Sequence, residues 1–338
     1  MRATSAAVVV GVAVAVAVAV LAGCAAPEQA ATTDRLTVVT TAPVESMSYA
    51  PEMVAVARGD FARHGLEVDL RALQGSPAAV QAVLGGSADL TRLGDIETML
   101  ATGARGAPLQ VVGAGMATGT LQIVSSTRDP IRVPADLAGR TIGVPSQGGT
   151  SDSTLSLVVA RGGMEPGSVR REVTGLAPGV FDLVAGGRID GFLAPMDTAV
   201  VLQHSRPDVV TLDVGEVISA GAQVFVGSAD RLADPAGEDR VRRYLAAVRD
   251  AMDFIAADAP GGYAETIRLI GSRYAVPSLT DPVTARAGLD AYVASWGPLR
   301  GTLPPERWHS TYTEASGLGL VPAGLDPDAW LHQLGPRS

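Results

Sequence analysis

Lysine and asparagine are absent from all 338 residues, and cysteine occurs once, at Cys24. A single cysteine excludes an intramolecular disulfide, a zinc–thiolate site and, in the body of the chain, a thiolate nucleophile. Without lysine there is no ammonium for a phosphate-binding P-loop and no amine for a Schiff base. All 26 basic residues are arginine. The four histidines, His64, His204, His309 and His332, lie at no metal-ligand spacing, so neither a metal site nor a cofactor is expected. The nucleophile-elbow pattern G-x-S-x-G and the zinc-protease pattern H-E-x-x-H are both missing. A net charge of −9 and a pI near 5.0 argue against a non-specific binder of nucleic acid or of an anionic membrane surface. No catalytic residue is assigned, and the reading is of a non-enzyme.

What is present begins with an apolar run. Arg2 precedes an alanine- and valine-rich stretch from Ala6 to Ala22, closed by Leu21-Ala22-Gly23-Cys24. This is the layout of an export signal over residues 1–23. The run is near the lower limit of the roughly 17–25 residues that a spanning helix needs, and small residues crowd its end. Leu-Ala-Gly-Cys resembles the lipobox of bacterial lipoproteins, which implies that Cys24 carries lipid and heads the exported chain. Residues 24–34 then read as a tether, and the expected location is the outer face of the cell membrane, or its periplasmic side, held by the lipid alone.

From Arg35 onward strand-like and helix-like runs alternate: strands at 36–41, 66–73 and 89–93, and helices at 49–64 and 77–85. A second series repeats the grammar, with strands at 121–125, 141–145, 169–173 and 190–194 and helices at 150–161 and 178–185. Alternation of this kind predicts βα units around largely parallel sheets. Pro77 to Asp89 matches Pro178 to Asp190 in its spacing of proline, paired glycines (Gly85-Gly86, Gly186-Gly187) and aspartate, an internal repeat that favours two lobes of similar build. Helical periodicity then dominates, at 241–258, 262–274, 280–296 and 304–316.

Several of these segments resemble, in order, solute-binding proteins of ABC importers of the nitrate/sulfonate/taurine and thiamine-precursor type. The segments are Ala57-Arg-Gly59-Asp-Phe61 through Gly65-Leu66-Glu-Val68, Ala82 to Asp89 with Gly94-Asp95, Leu137 to Val144 followed by Ser146 to Asp152, and Val184 to Gly191 with Pro195-Met-Asp197. The resemblance implies a type II periplasmic-binding-protein fold of class α/β. Two lobes, each a mostly parallel sheet flanked by helices, would be joined by a hinge of two crossovers near Gln122–Ser125 and Ser219–Val224. Lobe I would comprise 35–122 and 224–338, and lobe II 123–223. The implied function is capture of a small organic solute for a permease and its ATPase by a monomeric protein. A pyrimidine-synthesising enzyme of thiamine biosynthesis looks like this fold too. The resemblance implies that such an enzyme needs a pyridoxal-phosphate lysine and a cysteine-rich element, which this chain lacks. A lipoprotein that senses instead of transporting is the third reading.

Open α/β sheets bind ligands at the carboxyl ends of their strands. That rule selects Ser46, Met47 and Ser48; Gly75 and Ser76; Gly94 and Asp95; Thr120 and Gln122; Ser146, Gln147, Gly148, Gly149, Thr150, Ser151 and Asp152; and Pro195 and Asp197. Glycines admit close backbone approach, while hydroxyls and helix-start N–H groups supply donors. Ser76, Thr150 and Ser151 suit helix capping equally well. Asp95, Glu97, Asp152 and Asp197 face only Arg92 as a base, so a neutral or cationic solute is expected, such as a heteroaromatic vitamin precursor or an amine.

Overall fold

The computed structural model describes residues 33–335. The signal segment and the lipidation site Cys24 lie outside the described residues, as does all but the end of the expected tether. The first strand starts at Asp34, two residues before the expected Leu36, because Asp34 pairs with Leu66 and its carboxylate takes the guanidinium of Arg243.

The chain runs β1 (Asp34–Thr40), α1 (Ala50–Arg58), α2 (Asp60–Arg63), β2 (Leu66–Ala72), α3 (Ser76–Leu84), β3 (Leu90–Gly94), α4 (Asp95–Met99) and β4 (Leu109–Met116). It crosses over and continues with β5 (Leu121–Ser126), β6 (Thr141–Val144), α5 (Thr150–Arg161), β7 (Arg170–Val173), α6 (Phe181–Ala185), β8 (Gly191–Pro195), α7 (Met196–Ser205) and β9 (Val209–Asp213). A second crossover leads to β10 (Gln223–Ser228), α8 (Ala229–Ala233), α9 (Pro235–Asp258), α10 (Ala264–Gly271), α11 (Pro282–Ser295) and α12 (Pro305–Gly317).

Two five-stranded sheets result, ordered β2-β1-β3-β10-β4 and β7-β6-β8-β5-β9. In each, one strand runs against the other four, and in each that strand is the one entering from a crossover: β10 pairs antiparallel with β3 and β4, and β5 with β8 and β9. The sheets are therefore mostly parallel in direction, although only the β1–β2, β1–β3, β6–β7 and β6–β8 ladders are parallel pairings. The expected first crossover at Gln122–Ser125 is corrected: these residues form the middle of β5, held in ladders on both sides. The connection occupies 117–120, and Gln122 belongs to the second sheet. The return runs through 214–222.

The repeat read in the sequence has a matching geometry. Gly86 and Gly187 end their helices at φ 72° and 71°, conformations that cost a residue with a Cβ about 1–2 kcal/mol. Asp89 accepts from the Thr37 N–H at 2.8 Å, and Asp190 from the Thr141 N–H at 2.7 Å. Each aspartate so fixes the start of its lobe's central parallel ladder. The anticipated helix over 49–64 is two helices, broken where Gly59 takes φ 72°. Strands β4, β9 and β10 and helix α7 add to the expected elements. The glycines of Val-Val-Gly-Ala-Gly in β4 and Phe-Val-Gly in β10 dilute the strand signal. Helix α9 starts two turns before the expected Val241, since Asp234 caps it by accepting from Ala236 and Gly237 N–H. Its Val241, Tyr244, Leu245, Val248, Met252 and Ile255 are buried against the first sheet, each worth about 1.5–3 kcal/mol when fully buried.

Candidate functional site

The carboxyl ends of β1, β2, β6, β7 and β8 open onto one cleft between the lobes. It consists of an outer cavity of about 500 Å³ and an inner chamber of about 80 Å³. Thr41, Ala42, Ser46, Gly75, Pro145, Leu176 and Pro195 line both. Two glycines set how closely the lobes approach. A Cβ on Gly75, which sits at φ 79°, would lie 2.7 Å from the Ser146 hydroxyl oxygen, and one on Gly94 would lie 2.3 Å from Cγ2 of Thr150. Only the missing side chain permits either contact.

The Thr150 side chain, at the first turn of α5 in the second lobe, ties the two halves together. Its hydroxyl donates to Glu97 Oε2 at 2.6 Å and accepts from the Gly94 N–H at 3.0 Å, with Ser76 Oγ 3.5 Å away. Glu97, Gly94 and Ser76 all belong to the first lobe. Glu97 is buried. Burial pushes its pKa up to about 7, against the opposing pull of the Thr150 and Ser76 hydroxyls and of Arg105. A second tie forms on the other side, where the Tyr292 hydroxyl of α11 donates to Asp197 Oδ1 at 2.9 Å at the start of α7. Burial raises the Asp197 pKa, partly offset by the hydroxyls of Ser278 and Tyr292.

The residues expected at the site divide into three groups. Ser46, Gly75, Pro195 and Asp197 line the outer cavity, and Ser48, Ser76, Thr120, Ser146, Thr150 and Ser151 line the inner chamber. Gly94 and Gly149 stand behind that lining and allow close approach: Gly94 backs Thr150, and a Cβ on Gly149 would lie 2.4 Å from Ser146 Oγ.

The remainder are corrections. Met47 is fully buried in the first lobe's core, and Gln122 is held in the middle of β5. Gln147 and Gly148 are exposed and line neither cavity. Asp152 accepts from the Gly148 N–H and from Arg171 Nε at 2.8 and 2.9 Å, so it serves its own loop and β7. Asp95 is buried in the return crossover, where it accepts from the N–H groups of Gly221 and Ala222 and from the Thr311 hydroxyl. Arg92 turns into the first lobe, with Nη1 3.1 Å from Glu52, Nη2 donating to the Ser48 carbonyl and the guanidinium 4.1 Å above the Tyr49 ring.

Sequence reasoning missed the wall formed by Thr174, Gly175, Leu176, Ala177 and Pro178, and also Tyr292, Pro277 and Ser278 from the far end of the chain. The run Thr174-Gly-Leu-Ala-Pro178 follows β7 directly, and the strand-end rule could have found it. A shallow depression lined by Arg161, Ser219, His309, Thr313 and Glu314 shares no residue with the cleft. Among the described residues no group of three or more His, Cys, Asp or Glu could hold a metal ion.

A family model described as NMT1/THI5 like matches residues 46–260. No curated protein matches the sequence. The alkanesulfonate-binding protein SsuA from Xanthomonas axonopodis pv. citri, bound to MOPS, is 17% identical with a TM-score of 0.64, covering 88% of this chain and 98% of that one. The periplasmic nitrate-binding protein NrtA from Synechocystis PCC 6803 is 16% identical with a TM-score of 0.65, covering 88% and 84%. The desulfurization enzyme DSZB is 18% identical with a TM-score of 0.56, covering 89% and 96%. These likenesses establish the fold, the two-lobed type II fold of periplasmic binding proteins.

The Glu97 carboxyl yields a pH prediction. Its folded pKa lies above the ordinary glutamate value of 4.5, so the stability it contributes is fully present below that value and is lost as the pH rises through about 7. Glu97→Gln keeps an oxygen for Thr150 and removes the titration. Between about pH 4 and pH 8 the unfolding free energy of the variant should gain about 3 kcal/mol on that of the wild type. Urea unfolding across that range measures it, and a pH-independent difference contradicts the assignment.

Proposed function

The chain belongs to the NMT1/THI5-like family, and on that premise we propose that it is the extracytoplasmic solute-binding component of an ABC importer. It captures a small organic solute between its lobes and presents the closed form to a permease with its ATPase. The observation that carries this reading is the cleft itself: a cavity of about 500 Å³ shared by both lobes, reached through two crossovers that permit hinge motion. The hinge lies at 117–120 and 214–222, with residues 34–116 and the part from β10 onward forming one lobe and 121–213 the other. The protein works as a monomer.

An enzymatic reading lacks its chemistry. No lysine exists to form a pyridoxal-phosphate Schiff base, so the residues do not fit that cofactor. Asp95 and Asp152 are committed to backbone groups, and Glu97 to the Thr150 hydroxyl, which leaves Asp197 with only the exposed Glu45 as a second acid in the cleft.

Export through the 1–23 segment and a lipid on Cys24 would hold the protein beside its permease. Cys24→Ala is expected to shift the chain from the membrane fraction to the soluble one; continued recovery with membranes counts against the anchor.

The inter-lobe contact is tested at Gly94, whose φ of −69° suits alanine but whose added methyl would lie 2.3 Å from Cγ2 of Thr150 in the opposite lobe. Overpacking of this kind costs about 1–3 kcal/mol, or about 5- to 150-fold in affinity. Calorimetry with any solute found by thermal-shift screening should show that loss in Gly94→Ala. Equal affinity in both proteins would place solute capture elsewhere.

A further inference from the structure

The solute-binding reading, on which this inference rests, leaves the chemistry of the solute open, and the lining of the cleft restricts it. We infer that the cleft takes a neutral or cationic organic solute with a largely apolar body and rejects nitrate- and sulfonate-like anions, with Asp197 selecting charge and Glu97 occupying the place an anion would take.

The first observation is the charge of the lining. Among the described residues no arginine or histidine contributes to either cavity, and the chain has no lysine. The charged residues there are Glu45, exposed at the rim, and Asp197, which is buried. Arg92, the one base that sequence position puts near the mouth, spends its charge on Glu52 and the Ser48 carbonyl inside the first lobe. An anion entering the closed cleft would meet a carboxylate with no facing cation, in surroundings too dry to screen the repulsion.

The second observation concerns the place where an anion would otherwise be welcome. Helices α3 and α5 both start at the inner chamber, through Ser76 and through Thr150 and Ser151. Two helix N-termini converging on a cavity attract an anion through their free N–H groups and dipoles. Here that position is already served from within. The Glu97 carboxyl oxygen sits 2.6 Å from the Thr150 hydroxyl and draws on Ser76 as well. An external anion would have to displace the Glu97 carboxyl from that position.

The third observation is the apolar wall. Leu73, Pro145, Leu176, Pro195, Val201 and Pro277 line the outer cavity, which suits a hydrocarbon or aromatic body with a single polar or positive end directed at Asp197. An ammonium there gains a partly desolvated ion pair, and an alcohol or amide gains a hydrogen bond to the carboxylate.

The test uses the purified chain and three probes with the same phenyl body, benzenesulfonate, benzyl alcohol and benzylammonium, with nitrate as the smallest anion, all measured by calorimetry. The uncharged or the cationic probe should bind at least about tenfold more tightly than the sulfonate or nitrate, since like charges brought together in a site cost several kcal/mol. Asp197→Asn should erase the advantage of ammonium over alcohol. Glu97→Ala, which vacates the position between the helix starts, should improve sulfonate binding. Should either variant fail to fold, the ranking on the wild type still decides. Sulfonate or nitrate binding to the wild type as tightly as the other probes would overturn the charge inference and leave the solute-binding reading standing. If no probe of any charge binds, both fall.

Discussion

The Thr150 hydroxyl sits between a carboxyl and an amide of the opposite lobe, and the geometry of the cleft depends on that arrangement. Because it donates to Glu97 and accepts from Gly94, the first turn of α5 is pinned to the ends of β3 and α4. The pin works only because the neighbouring positions are small: Gly94 leaves room for the threonine methyl, and Gly75 and Gly149 leave room for Ser146. The inner chamber is the space left over between these contacts. Burial of the acid raises its pKa, and the bond from Thr150 opposes that rise.

The strand order of the two lobes sets where the pinned elements lie. Each lobe is built in the same strand order, and each hands one antiparallel strand's worth of chain across the boundary. The helices that follow β2 in lobe I and β6 in lobe II, α3 and α5, bring their starts together across the cleft. Nearby helix starts of like dipole repel, and an acceptor between them relieves that repulsion. In this chain Glu97 supplies the acceptor, which distinguishes its cleft from one that waits for an anion from solution.

Much of the architecture was legible because turn chemistry is local. The matched Pro77–Asp89 and Pro178–Asp190 segments carry their helix starts, left-handed glycines and ladder-fixing aspartates within a dozen residues each, and the same backbone partners recur in both lobes. Strands β4 and β10 were hidden by internal glycines, and the first crossover was placed a few residues late because β5 has no turn residue at its start other than Gly119-Thr120. The site was legible as strand ends and less so as side chains. Asp95 and Glu97 stand two apart on one short helix, so they point about 200° apart. One faces the return crossover and the other the opposite lobe, a division that spacing alone does not assign. Tyr292 and Ser278 come from more than 200 positions after the first cleft residue, Thr41, and only tertiary packing brings them to Asp197.

The central claim is that solute is held by bringing these lobes together. Small-angle X-ray scattering of the chain, with and without a solute whose binding has been verified by calorimetry, tests it most directly. The account predicts a smaller radius of gyration in the bound state, as the population shifts toward the closed form. An unchanged radius at saturating solute would contradict it.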